Sequence, residues 1–121
     1  MSVPLKAIIA AVAVFSAVSA QAQLLGPGWE VNIELNQNDL DLIHATVDQR
    51  VHGKLVGTVA YWRNPASGNS GSIKLEKKFT VRNQKCEEIE YILHTRKPGT
   101  HSEHYHFTSC LQPYGKWKII G

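Results

Sequence analysis

The sequence lacks the short motifs on which common catalytic sites are built. It has no Gly-x-Ser-x-Gly turn for a nucleophilic serine and no His-x-x-x-His pair of the kind that holds catalytic zinc on a helix. It also has no glycine-rich phosphate loop, because the nearest glycine pair, Gly68 and Gly71, is too closely spaced and is not followed by Lys and Ser or Thr. We therefore expect the protein not to be an enzyme.

Long apolar runs are also missing, with one exception near the start of the chain. After a single charge at Lys6, residues 7–18 read AIIAAVAVFSAV, which is about half of the 20 residues that a transmembrane helix needs. An Ala-x-Ala motif follows at residues 20–22. We interpret residues 1–22 as a signal peptide cleaved after Ala22, or as a second choice after Ala20, in preference to a buried helix. The mature chain should then reach the periplasm or the cell surface without a transmembrane segment.

Cysteine is scarce, since the chain contains only Cys86 and Cys110. Neither lies near the cleavage site, so we expect no lipid anchor. Thiols pair in oxidising compartments, and we predict a disulfide between the two that stabilises the fold by about 3 kcal/mol. Two metal-ligating thiolates are the alternative, but the Cys-x-x-Cys spacing that zinc sites favour is absent.

Strong charge of either sign is absent too, because the formal net charge is +3. One basic stretch, interrupted by Glu76, comprises Lys74, Lys77, Lys78, Arg82 and Lys85. We interpret it as a solvated strand face, with an anionic envelope surface as the alternative partner. Export argues against a nucleic-acid partner.

Apolar spacing divides the rest of the chain into an extended lead, residues 23–37, and a single domain, residues 38–121. Between Asn38 and His52 apolar residues recur every three or four positions, which predicts an amphipathic helix. Asn36 or Asn38 can cap it, Asp39 lies in its first turn, and Gly53 is placed to end it.

Beyond the helix the apolar period becomes two, which predicts strands. The first runs from Leu55 to Trp62, and a turn follows at residues 63–71. The second strand is expected to bury one face, formed by Ile73, Leu75, Phe79 and Val81.

The predicted disulfide fixes the pairing of the next two strands. If Cys86 lies opposite Cys110, Ile89 meets Phe107 and residues 91 and 105 bring two tyrosines together, so apolar side chains share a face. A loop at residues 96–100 closes this hairpin, and a short last strand follows a turn at residues 113–115. The expected fold is α+β, with one N-terminal amphipathic helix packed on an antiparallel sheet of about four or five strands.

One pattern of turn residues, cysteines and tryptophans extends from residue 57 to residue 120. It consists of a Trp-x-Asn-Pro-x-x-Gly-x-x-Gly turn, a Cys-x-Glu, a second cysteine and a Gly-x-Trp ending: Trp62, Asn64, Pro65, Gly68, Gly71, Cys86, Glu88, Cys110, Gly115 and Trp117. This pattern resembles the C-terminal domain of the rickettsial-type 17 kDa surface antigens, small envelope proteins of Gram-negative bacteria. The resemblance implies a structural or antigenic role and no established reaction.

The chain also departs from that family. Many members begin with a lipid-attachment cysteine and a glycine-zipper segment, and neither is present here, so membrane anchoring is not implied. Glu87 stands where arginine usually follows the first cysteine, and Tyr114 stands where an aspartate is common. From the residues alone, Trp62 and Trp117 are expected to pack in the core or at a sheet edge.

Histidine is concentrated late in the chain. In the disulfide register His94, His104 and His106 share the outward face of the sheet, and Glu90 lies opposite His106. Such a patch suits zinc or copper, whereas a polar strand with exposed histidines is the simpler interpretation. Among the clustered carboxylates, residues 88 and 90 lie on the predicted histidine face and residue 87 lies on the other. A solvated, salt-paired face is the simpler interpretation of this group.

The sequence therefore favours a non-catalytic exported envelope protein with a structural or protein-binding role and another envelope or surface protein as its partner. One alternative is a periplasmic metal-binding module that uses the histidine patch. The other is a small inhibitor of an envelope-directed hydrolase, with the loop at residues 96–100 as its inserted element.

Overall fold

The computed structural model describes residues 35–95 and 102–121, and the predicted signal peptide and the loop at residues 96–100 lie outside them. The described residues form one helix and five strands: α1 Gln37–Arg50, β1 Val59–Arg63, β2 Ser70–Val81, β3 Gln84–His94, β4 Ser102–Leu111 and β5 Trp117–Ile119. The strands form one antiparallel sheet in the order β1-β2-β3-β4-β5. The α+β prediction is confirmed. None of the helical structure in these ranges is long and apolar enough to cross a membrane.

A reciprocal pair of hydrogen bonds starts α1. The Asn36 side chain accepts from the Asp39 N–H at 2.8 Å, and the Asp39 carboxylate accepts from the Asn36 N–H at 3.0 Å. This capping box satisfies two backbone donors that a helix N-terminus otherwise leaves unpaired. Leu35, which precedes the cap, is buried in the core, so the folded unit begins before residue 38.

The helix covers one face of the sheet. Leu40, Ile43, Val47 and Val51 are buried, as the three-and-four spacing predicts. They belong to the same core as apolar residues from four strands: Ala60, Trp62, Ile73, Leu75, Ile89, Tyr91, Leu93 and Phe107.

The β3–β4 register follows the predicted pairing. Cys86 lies opposite Cys110, Ile89 lies opposite Phe107, and the tyrosines at positions 91 and 105 lie opposite each other. The predicted Cys86–Cys110 disulfide is present. Because side chains alternate along a strand, Ile89 faces the helix while Cys86 lies on the opposite face, which we call the outer face.

The structure corrects the alternation expected in β2. Ile73 and Leu75 are buried against the helix, but the register shifts between Leu75 and Lys77. This bulge turns the rest of the strand over, so that Phe79 pairs with Cys86 on the outer face and Val81 is exposed. One additional residue therefore moves two apolar side chains away from the core.

One turn differs from an expected strand boundary, and a second turn was not predicted. β1 begins at Val59 rather than at Leu55, because residues 55–58 form a turn. The Thr58 N–H and hydroxyl both donate hydrogen bonds to the Leu55 carbonyl, and Gly57 has φ +97°. Between β2 and β3, Arg82 and Asn83 both adopt positive φ, at 49° and 65°. Two left-handed residues between paired positions are typical of a tight two-residue hairpin.

Candidate functional site

The buried carboxylate of Asp39 connects the start of α1 to the Asn-Pro turn. One oxygen accepts from the Asn64 amide at 2.8 Å and the Ser67 hydroxyl at 2.7 Å, and the other accepts from the Asn69 amide at 2.8 Å. Burial alone would raise the pKa of Asp39, but hydrogen bonds from the Asn36 N–H and these three side chains outweigh it and lower the pKa. The carboxylate is therefore charged, buried and fully engaged by donors.

The turn that supplies these donors closes on itself. The Asn64 side chain accepts from the Ala66 N–H at 3.1 Å, and the Asn64 backbone carbonyl accepts from the Gly68 N–H at 2.8 Å. Gly68 has φ +81°, a conformation that glycine adopts without a steric cost. The Asn-Pro-x-x-Gly part of the sequence pattern thus forms a compact loop that orients amide groups toward Asp39.

Gly71 makes room for the Trp62 indole. The two residues lie opposite each other in β1 and β2, and a Cβ at position 71 would sit 2.6 Å from Trp62 Nε1 and 2.3 Å from the Ile92 carbonyl oxygen. Any side chain there would displace the ring or the neighbouring strand. The second glycine of the pattern therefore has a packing role, and Trp62 is buried.

Glu87 is buried beneath the end of α1, and only 1% of it is exposed, which corrects its interpretation as part of a solvated group. One carboxylate oxygen lies 2.7 Å from His52 Nδ1, and the other accepts from the Gly53 N–H at 2.8 Å. The His52 ring stacks on the Trp117 indole with centroids 4.5 Å apart. These contacts attach the end of the helix to β3 and β5.

Burial, together with the charges of Asp48 and Glu87, also raises the pKa of Tyr91, so its phenol stays neutral.

Two clefts border this His52–Glu87 pair. One, of 490 Å³, is lined by Lys78, Lys85, Glu87 and Trp117 among others. The other, of 330 Å³, is lined by Asp48, His52, Gly115, Lys116 and Trp117. Among the described residues that line this second cleft, none is a serine, threonine or cysteine that His52 could activate as a nucleophile. The pair has the geometry of a structural anchor.

The outer face carries the predicted histidine patch and adds a carboxylate to it. His106 Nδ1 lies 2.9 Å from Glu76 Oε1, and His106 Nε2 lies 3.8 Å from Glu90 Oε2. His104 Nδ1 is 3.9 Å from the same Glu90 oxygen. His94 instead contacts the Ser102 hydroxyl at 2.6 Å. The structure thus groups His104 and His106 with two glutamates and gives His94 a separate partner.

Exposed apolar side chains cluster at the β1 edge. Leu55 and Val56 are 81% and 56% exposed in the turn before the strand, and Val59 and Tyr61 are 41% and 69% exposed within it. Val59 and Tyr61 alternate with the buried Ala60 and therefore lie on the outer face. Large apolar residues grouped at a sheet edge are typical of an interaction surface.

Comparisons with known proteins give one relationship. No protein-family model matches the chain, and no solved structure matches it. The chain is 27% identical over 91 residues to the 17 kDa surface antigen of Rickettsia bellii, an alignment that covers 75% of this chain and 56% of that protein. It is also 27% identical over 86 residues to the 17 kDa surface antigen of Rickettsia felis, which covers 71% and 53%. The chain spans about half the length of these curated relatives. It is a distant relative of the rickettsial 17 kDa surface antigens.

Proposed function

We propose that this chain is a non-catalytic exported envelope protein that binds an extended segment of another envelope protein along β1. The names of its relatives are compatible with a location in the envelope or at the cell surface. A disulfide is consistent with export, because cysteines pair outside the reducing cytoplasm.

The observation that carries the proposal is the apolar strip Leu55, Val56, Val59 and Tyr61. In the described sheet β1 is an edge strand, and β2 pairs with it on one side. An edge strand presents backbone N–H and C=O groups to which an extended peptide can pair, and alternate side chains then select the peptide sequence.

The charges around the strip define the chemistry of the partner. Arg63 continues the outer-face row of Val59 and Tyr61, and Lys74 lies opposite Val59 in β2. Both cations are exposed. We therefore expect the bound segment to alternate apolar side chains with aspartate or glutamate.

The buried polar groups support a non-catalytic role. The Asp39 carboxylate is engaged by three side chains and a backbone N–H, and the Glu87 carboxylate holds His52 and the Gly53 N–H. These carboxylates maintain the positions of the helix ends and of the Asn-Pro turn. Both therefore contribute to the fold.

Site-specific photocrosslinking tests the proposal. A benzoylphenylalanine at Tyr61 should give one dominant adduct with an envelope protein in living cells. The matched control is Tyr114, which is also 69% exposed but lies in the turn between β4 and β5. We expect no such adduct from position 114.

A second measurement uses the identified partner. Val59→Glu places a carboxylate where an apolar contact and acidic neighbours are expected, so it should weaken binding of the purified partner at least about tenfold, as loss of an interface anchor does. Equal adducts from positions 61 and 114, or unchanged affinity of the V59E variant, would contradict the proposal.

A further inference from the structure

Side chains from three adjacent strands converge on the outer face. Glu76 belongs to β2, Glu90 to β3 and His106 to β4. β2 and β4 are separated by β3 and thus by about 10 Å, yet His106 Nδ1 and Glu76 Oε1 meet at 2.9 Å above the middle strand. One ligand-type atom from each of the three residues lies within 4.8 Å of the others.

Glu76 lies at the centre of the β2 bulge. Leu75 pairs with Ile89 and Lys77 pairs with Glu88, so Glu76 is the additional residue between two paired positions. A bulge re-aims the side chain at its centre, and bulges are frequent beside functional sites. Without it, alternation from Leu75 would still place Glu76 outward, but Lys77 would face the helix.

Partial burial of its two carboxylates distinguishes this cluster from a scattering of surface charges. The Glu90 and Glu76 side chains are only 19% and 28% exposed, while the His106 ring is 53% exposed and open to solvent. The two carboxylates are therefore held at the base of the cluster, and His106 closes it from the solvent side. Prearranged ligands lose less conformational freedom when they bind.

We propose that Glu76, Glu90 and His106 bind a divalent transition metal ion, with Zn²⁺ as the best match and His104 as the fourth ligand. Zinc accepts imidazole nitrogen and carboxylate oxygen in tetrahedral sites, where ligand atoms are about 3.4 Å apart at metal–ligand distances of about 2.1 Å. To reach this geometry from the observed separation of up to 4.8 Å, the ligand atoms would have to approach one another by up to about 1.4 Å, a shift that side-chain rotations can provide.

His104 is positioned to complete the set. Residues 104 and 106 project from the same face of β4, and His104 Nδ1 lies 3.9 Å from Glu90 Oε2. His94 is not included, because it lies four residues beyond Glu90 along β3, which is about 13 Å in a strand, and its Nδ1 contacts the Ser102 hydroxyl at 2.6 Å. The site differs from the patch expected from sequence, which already placed Glu90 opposite His106, by the addition of Glu76 and the loss of His94, and it does not depend on the proposed partner surface.

Titration of the purified protein with Zn²⁺ tests the site, and Co²⁺ serves as a spectroscopic probe because tetrahedral Co²⁺ has intense visible absorption. We expect one equivalent of Zn²⁺ to bind with micromolar or tighter affinity. His106→Ala and Glu76→Gln should each weaken binding at least about tenfold, as loss of a ligand group does. Both residues lie on the outer face, so circular dichroism should show an unchanged fold.

His94→Ala is the matched control, since it removes an exposed histidine from the same face. It should leave the affinity for Zn²⁺ and the Co²⁺ spectrum unchanged. Affinity weaker than the micromolar range, unchanged affinity in H106A and E76Q, or an equal loss in H94A would each overturn the proposal.

Discussion

At the scale of single residues, Asp39 has two roles that a neutral side chain cannot combine. It closes the capping box of α1 through the Asn36 N–H, and it accepts from Asn64, Ser67 and Asn69 in the turn before β2. Each of these bonds has a charged acceptor, which makes it stronger than a bond between neutral groups. The carboxylate thereby joins the first helical turn to residues 25 to 30 positions later in the chain.

We predict that Asp39→Asn destabilises the protein by about 3 kcal/mol at pH 7, because an amide would turn its own N–H₂ toward two buried donors. The pKa of Asp39 is lowered in the folded state, so the stability contributed by its charge is complete above the unfolded pKa of about 3.9 and is lost as pH falls through the folded pKa. Urea unfolding at pH 7 and pH 3 measures both values. The difference between wild type and D39N should shrink in acid.

Asp41→Asn provides the control for this change. Asp41 is exposed and accepts only from the Gln37 side chain among the bonds that the structure gives it, so its substitution should cost less than about 0.5 kcal/mol. If D39N and D41N lose equal stability, or if the loss in D39N is the same at both pH values, Asp39 does not have the role assigned to it.

The sequence predicted part of each residue-scale site. The sequence predicted Asn36 as a cap and Asp39 in the first turn, because these helix signals lie within four consecutive residues. The bonds to Asn64 and Asn69 connect distant positions, and no local pattern reports them. Alternation placed Glu87 on the face opposite the histidines, two residues before Ile89, but it did not predict the buried contacts with His52 and the Gly53 N–H.

At the scale of elements, pairings fixed by a covalent constraint were predictable and irregularities were not. Placing Cys86 opposite Cys110 determined every partner in β3 and β4, and the structure has that register. The β2 bulge adds one residue without interrupting the visible alternation, so Phe79 and Val81 were assigned to the wrong face. The tight turn at Arg82 was missed because its arginine is not a typical left-handed residue.

The β2–β3 turn supplies a prediction for this scale. Arg82→Asn should stabilise the protein by about 1 kcal/mol, since an L-residue other than glycine, asparagine or aspartate costs roughly 1–2 kcal/mol in the left-handed region and asparagine favours this turn. The free energy of unfolding in urea measures it. Arg82→Lys keeps the charge and the backbone strain and should change little, so a gain in R82K equal to that in R82N would refute the explanation.

At the scale of the whole molecule, the two faces of the sheet are stabilised in different ways. The helix face carries the apolar core from Leu40 to Phe107, with the Asp39 and Glu87 contacts at its two ends. The outer face is polar across its centre and carries the Cys86–Cys110 disulfide near one end. Because the disulfide is not part of the helix-face core, its removal leaves that packing in place.

We therefore predict that Cys86→Ala combined with Cys110→Ala keeps the fold but lowers its stability. Opening a bridge between residues 24 apart restores chain entropy to the unfolded state and should cost about 3 kcal/mol. For a domain of about 100 residues this lowers the melting temperature by more than about 10 °C. Thermal unfolding followed by circular dichroism, with and without reductant, measures the change in wild type and variant. The variant should show a native-like spectrum, and reductant should not change its melting temperature. Reduced wild type should unfold at the same temperature as the variant. Loss of native structure in the variant at low temperature would contradict this prediction, because it would show that the helix-face core does not maintain the fold without the disulfide.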